Sequence, residues 1–190
     1  MRRFTLAASA AALALFAGAL ALPAQADQHM KGWTIDMNEV TDDGVGEKMG
    51  TVTIMPAEDG GTSFQVSAEG FSAGEHGFHV HQNMSCQPAQ SDGDVVPGGA
   101  AGGHWDPEDT GTHQGPEGDG HLGDLPRLTA NTEGKIEETV TAPRIEDMGR
   151  LAEHALIIHQ GGDTYSDEPS LGGGGPRVAC GIIPAQQQAQ

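Results

Sequence analysis

The sequence predicts an all-β fold, a sandwich or barrel of about eight strands broken by two long functional loops. Three observations carry that prediction. Glycine is abundant, at 29 of 190 residues, and helical periodicity is nearly absent. Short runs of alternating apolar and polar residues recur between turn signals, which is the pattern of half-buried strands. Two long segments rich in Gly, Pro, Asp and His interrupt that rhythm.

The elements follow in order. Residues 1–26, "MRRFTLAASAAALALFAGALALPAQA", open with Arg2 and Arg3, continue as an apolar run and end in a small-residue site at Ala26. This is the pattern of a cleaved secretory signal. The apolar run is short for a membrane anchor, and "RRF" is only a loose match to a twin-arginine leader. Residues 27–190 then form one domain without membrane contact. Runs with strand character are "GWTIDM", with Trp33, Ile35 and Met37 on one face, "GTVTIMP", "TSFQVS", "HGFHVH", "RLTA", "KIEETVTA", "HALIIH" and "RVACGII". The long loops run from Gln82 to Leu125 and from Gln160 to Pro176, and residues 184–190 read as a disordered tail.

Composition excludes some partners. Without its leader the chain carries 7 basic against 27 acidic residues. Phosphate contact needs clustered Lys and Arg, so nucleic-acid binding is excluded. In an exported chain the two cysteines, Cys86 and Cys180, read most simply as one disulfide.

The histidines carry the chemistry. In "GFHVH", alternation sends Phe78 and Val80 to the core and puts His79 and His81 together on the outer face. Alone, that pair is equally an exposed polar face. The first long loop adds His104, His113, His121 and Asp124, and His159 ends "ALIIH" where the second loop begins. Imidazoles plus a carboxylate on a Gly-rich loop are the ingredients of a zinc site. Together these residues make seven ligands, whereas two four-coordinate sites need eight. One imidazole serving both metals balances the count, and His104 lies between the two groups in sequence. A four-nitrogen site suits Cu(II), and three nitrogens with one oxygen suit Zn(II). Spacing alone does not assign the metals.

Through "GFHVH", "GGHWDP", "GDGHLGDLP", "LIIHQGGD" and "LGGGGPRVACGII", the chain resembles the copper/zinc superoxide dismutases of the bacterial exported type, from Trp33 to Ile183. The resemblance implies an eight-stranded Greek-key barrel and dismutation of superoxide to dioxygen and hydrogen peroxide, with Cu and Zn as cofactors and the periplasm as location. It implies His79, His81, His104 and His159 as copper ligands, and His104, His113, His121 and Asp124 as zinc ligands. It further implies a Cys86–Cys180 disulfide, Arg177 as the residue that holds the anion, and His104 as the bridge and proton donor. Asp163 matches a carboxylate that links a copper histidine to a zinc histidine, with Asp167 as a rival.

One departure concerns charge. Related bacterial enzymes often carry lysines in the loop after the first cysteine, where this chain has "QPAQSDGDVVPGG". Lys31, Lys48 and Lys135 are its only lysines, so steering of the anion is expected to rest on the metals and Arg177. Cleavage after Ala26 would also expose Asp27-Gln28-His29, a tripeptide able to wrap Cu(II) in nitrogen, with an ordinary chain end as the alternative. His76 and His154 read as structural. A non-catalytic copper and zinc binding protein on the same fold is the competing function. Monomer and homodimer both stay open, because no interface is legible in the sequence.

Overall fold

The computed structural model describes residues 32–185; the leader, Asp27-Gln28-His29 and residues 186–190 of the tail lie outside the described residues. Strands β1 (Trp33–Thr41), β2 (Gly44–Pro56) and β3 (Thr62–Glu69) come first. They are followed by β4 (Gly74–His76) and β5 (Phe78–His81), two parts of one strand interrupted at Gly77. A small hairpin, β6 (Ala89–Ser91) and β7 (Asp94–Val96), lies within the first long loop. Strands β8 (Leu128–Ala130), β9 (Lys135–Ala142), β10 (Ala155–His159) and β11 (Arg177–Ile182) complete the set. The main sheet runs β5-β10-β11-β1-β2-β3-β9, and β4 pairs with β8. Because β8 turns directly into β9, with the Asn131 N–H donating to the Lys135 carbonyl at 2.8 Å, the β4–β8 pair curls the sheet toward closure.

Each of the eight expected runs forms a strand. The first extends further than its alternation indicates, because β1 continues through Thr41 into a tight turn at Asp42-Asp43. The β6–β7 hairpin falls where a plain loop is expected. Asp92 and Gly93 both take positive φ, 52° and 96°, the signature of a two-residue turn that matches strand twist.

Strand β10 shows how the core is arranged. All five residues of "ALIIH" are buried. Leu156 and Ile158 join Ile54, Phe64, Phe78 and Val80 in the main core. Ala155 and Ile157 face the opposite side and pack with Val40, Ala101 and the cysteines in a second, smaller cluster. A strand covered on both faces reads as a continuous apolar run, and here the long loop supplies the outer cover. Cys86 and Cys180 are joined by a disulfide across 94 residues of sequence, which fastens that loop to β11. Closing so long a loop contributes about 4 to 5 kcal/mol in the chain-entropy account.

Candidate metal centre

The centre forms where β5 and β10 end and the loops fold back on them. Strand β5 has β10 on one side only. Its other edge is taken by loop backbone. The Trp105 N–H donates to the Val80 carbonyl at 2.8 Å, and the Val80 N–H donates to Gly123 at 2.9 Å. Isolated bridges pair His79 with Asp124 and His81 with His104. A sheet edge with unpaired amides is thus closed by the segments that carry the other ligands. Gly123 makes this approach feasible, since a Cβ there would sit 2.3 Å from the Val80 carbonyl oxygen. His79 and His81 point away from the barrel core, yet both are buried, because the loops cover them.

Ligand atoms of His79, His81, His104 and His159 lie within 4.8 Å of one another, as do those of His79, His104, His113 and Asp124. His79 and His104 belong to both groups and stack at 3.9 Å between ring centroids. His121 stands at the edge of the second group, its Nδ1 3.4 Å from Asp124 Oδ1.

Hydrogen bonds determine which nitrogen each ring has free. His81 Nδ1–H donates to the Gly102 carbonyl at 2.9 Å, and His159 Nδ1–H donates to the Gly175 carbonyl at 3.0 Å. Carbonyl oxygens only accept, so both Nδ1 atoms carry the proton and both Nε2 atoms hold lone pairs. Those two Nε2 atoms face each other at 3.4 Å in a buried site. Two lone pairs at that range repel unless a cation lies between them. The remaining rings follow the same logic. His79 Nε2–H and His113 Nε2–H donate to the two oxygens of Asp163, each at 2.7 Å. His79 Nδ1, His113 Nδ1 and His121 Nδ1 are buried with no hydrogen-bond partner. His113 Nδ1 lies 2.9 Å from Asp124 Oδ2 but out of line for a hydrogen bond. His104 Nδ1 meets Asp124 Oδ1 at 2.9 Å, leaving Nε2 free. Orphaned, convergent nitrogens with ordered outer partners fit metal ions as nothing else in this chemistry does.

The groups titrate accordingly. Burial pushes His81 and His159 well below the ordinary imidazole range, with neighbouring histidines adding to the effect. Burial also lowers His79, and it brings His104 down to about 4. Burial acts in the same direction on His113, but the Asp124 and Asp163 carboxylates on either side of the ring outweigh it and raise it to about 9. Burial would raise the two carboxyls; their histidine partners instead hold both well below the usual range.

An open cavity of about 310 Å³ leads to this cluster, lined by His81, His104, His159, Val96, Leu171 and Arg177. The Arg177 guanidinium is anchored by the Gly98 and Gly102 carbonyls at 2.5 and 2.6 Å. Asp167 does not reach the link made by Asp163; it accepts the His113 backbone N–H at 3.0 Å. The His76 ring nitrogens lie 2.7 and 2.8 Å from the backbone carbonyls of His159 and Ser72, and His154 Nδ1 lies 2.8 Å from that of Gln82.

Sequence reasoning missed the Gly102 and Gly175 carbonyls that orient two ligands. It also missed the role of the "LGGGG" run. At Gly172, φ is +74° and a Cβ would lie 2.1 Å from Asp163 Oδ1. A glycine run beside a ligand-rich loop is a signal of such close approach.

A family model described as copper/zinc superoxide dismutase matches residues 48–183. The Cu-Zn superoxide dismutase of Brucella abortus is 53% identical over 151 residues, covering 79% of this chain and 87% of that relative. That of Escherichia coli K12 is 46% identical over 184 residues, covering 96% and 99%. The solved Brucella abortus enzyme superposes with a TM-score of 0.78 at 52% identity over 80% of this chain and 99% of that one. Matched along most of its length in sequence and in fold, and carrying two candidate ligand clusters that share His79 and His104, this chain belongs to the copper/zinc superoxide dismutase family.

Proposed function

We propose that the seven ligands divide between two metals around His104. His79 Nδ1, His81 Nε2, His104 Nε2 and His159 Nε2 would hold copper. His104 Nδ1, His113 Nδ1, His121 Nδ1 and Asp124 would hold zinc. The carrying observation is the 3.4 Å approach of the His81 and His159 Nε2 atoms, each with its Nδ1 proton committed to a carbonyl. The activity is that of the family, conversion of two superoxide ions and two protons to dioxygen and hydrogen peroxide. Copper held there would supply the electron exchange between the two superoxide ions.

The chain's own residues do the rest. Arg177, at the cavity wall beside His81 and His159, holds the anion by a charge-assisted hydrogen bond. His104 Nε2, on the copper side, would take a proton from solvent and pass it to the reduced product, while Nδ1 stays on the side of Asp124. Asp163 holds the rings of His79 and His113 in fixed orientation. Arg177 is the only cation among the described residues that line the cavity. Lys48 and Lys135 instead pair with Asp36 and Glu133. Anion capture therefore rests on the metals and Arg177.

The sequence of residues 1–26 supports export to the periplasm, leaving 27–190 as one domain. The Cys86–Cys180 disulfide suits that oxidising compartment. The test of the bridge is magnetic. With Co²⁺ in place of zinc, the Cu(II) paramagnetic resonance signal should vanish through coupling across His104 and return in His104→Ala. A full Cu(II) signal in the Co²⁺-loaded wild-type protein would contradict a shared histidine.

A further inference from the structure

Asp163 lies on the second long loop, outside any strand, yet its carboxylate accepts three hydrogen bonds. Besides the two histidines, Oδ1 accepts the Tyr165 backbone N–H at 2.7 Å. That N–H is aimed by an unusual backbone. Tyr165 has φ +58°, a left-handed conformation that a bulky side chain adopts only when its surroundings enforce it.

The enforcing contacts are specific. The Tyr165 hydroxyl accepts the Arg127 backbone N–H at 2.9 Å, and the Arg127 guanidinium lies 5.2 Å above the phenol ring. The ring covers Gly115 on the first long loop, where an added Cβ would lie 2.6 Å from Tyr165 Cγ. Arg127 also donates from a terminal nitrogen to the Asp163 carbonyl at 2.9 Å. Its Nε pairs with Glu75 of β4 at 3.0 Å. Arg127 directly precedes β8, so these contacts connect the barrel to both long loops at the point where Asp163 meets the two ligands.

We propose that Arg127 and Tyr165 form a latch that sets the Asp163 carboxylate and, through it, the rings of His113 and His79. Both are positioning residues for the metal pair, and the inference rests on the Asp163 role proposed above. The conformation at Tyr165 is favourable only while the ring is clamped between Arg127 and Gly115. Releasing the clamp frees the Tyr165 N–H, lets the carboxylate rotate and loosens His113.

The test is zinc affinity of the purified protein, stripped of zinc and titrated with Zn²⁺ against a chromophoric chelator. Tyr165→Ala and Arg127→Gln should each weaken zinc about tenfold, the low end for losing an outer partner of a ligand. Tyr165→Phe keeps the ring and loses the hydroxyl, so its loss should be roughly two- to threefold. It decides the matter with Arg127→Gln if Tyr165→Ala does not fold. The visible bands of Co²⁺ at the site should shift in parallel. In an Asp163→Asn background the Tyr165 and Arg127 substitutions should add nothing. Wild-type zinc affinity in the Tyr165 and Arg127 variants, or losses that persist undiminished beside Asp163→Asn, would overturn the latch. Unchanged affinity in Asp163→Asn alone would instead overturn the role of Asp163 on which it rests.

Discussion

The two ligand clusters share His79 and His104 but differ in charge. On one side His81 and His159 lean on neutral backbone carbonyls, and burial keeps them uncharged. On the other, His113 is flanked by Asp124 and Asp163 and is raised to about 9. A dication bound by neutral nitrogens keeps its positive charge, whereas one bound beside carboxylates loses much of it. The open cavity and Arg177 lie on the first side. Under the proposed assignment, the difference would direct an anionic substrate to the copper side and leave zinc to brace the loop.

Breaking the anionic side should have the largest effect. Asp124→Asn removes the one carboxylate among the proposed ligands, and zinc affinity should fall at least about a hundredfold, beyond the range for outer partners. Copper should stay bound, as metal content after dialysis against a chelator would establish. Loss of both metals in equal measure would mean that the clusters are not separable.

Titration sharpens the same contrast. Ligands must lose their protons to bind metal. With His113 at about 9, zinc must displace a proton from that ring at neutral pH. Apparent zinc affinity should therefore rise about tenfold per pH unit up to about 9, because a single proton is displaced. The His81 and His159 side, already neutral, should show no such slope there. Stability of the metal-free protein depends on pH through the same groups. His113, raised from 6.5, stabilises fully below pH 6.5 and loses that contribution as pH rises through about 9. His81 and His159, lowered, and Asp124 and Asp163, also lowered, stabilise at higher pH and lose it on acidification. Calorimetric titration with Zn²⁺ in buffers of different ionisation heat counts the proton directly.

A smaller effect is expected at the open side. Arg177→Ala should slow the reaction roughly tenfold at low salt, the lower end of what steering supplies. It should also flatten the dependence on ionic strength, since no other described cation lines the cavity. A salt dependence as steep in Arg177→Ala as in the wild type would place steering elsewhere.

Much of this was legible in the sequence because alternation and ligand type are local signals. "GFHVH" places Phe78 and Val80 inward and two imidazoles outward without any tertiary knowledge. The burial of those imidazoles was not legible, since it depends on loop backbone lying along the free edge of β5. The β6–β7 hairpin was within reach, as Asp92-Gly93 between short runs is a known turn signal, but neither strand has an apolar face to advertise it. Arg127 and Tyr165 carry no metal-ligand chemistry, and 38 residues of sequence separate them. Only the fold shows that they meet Asp163.

The most direct test is superoxide consumption by the purified protein, with copper and zinc counted on the same sample. Fast dismutation with one copper and one zinc per chain is the expected result. Both metals bound at that ratio without turnover would contradict it, and would turn the two clusters into a store rather than a catalyst.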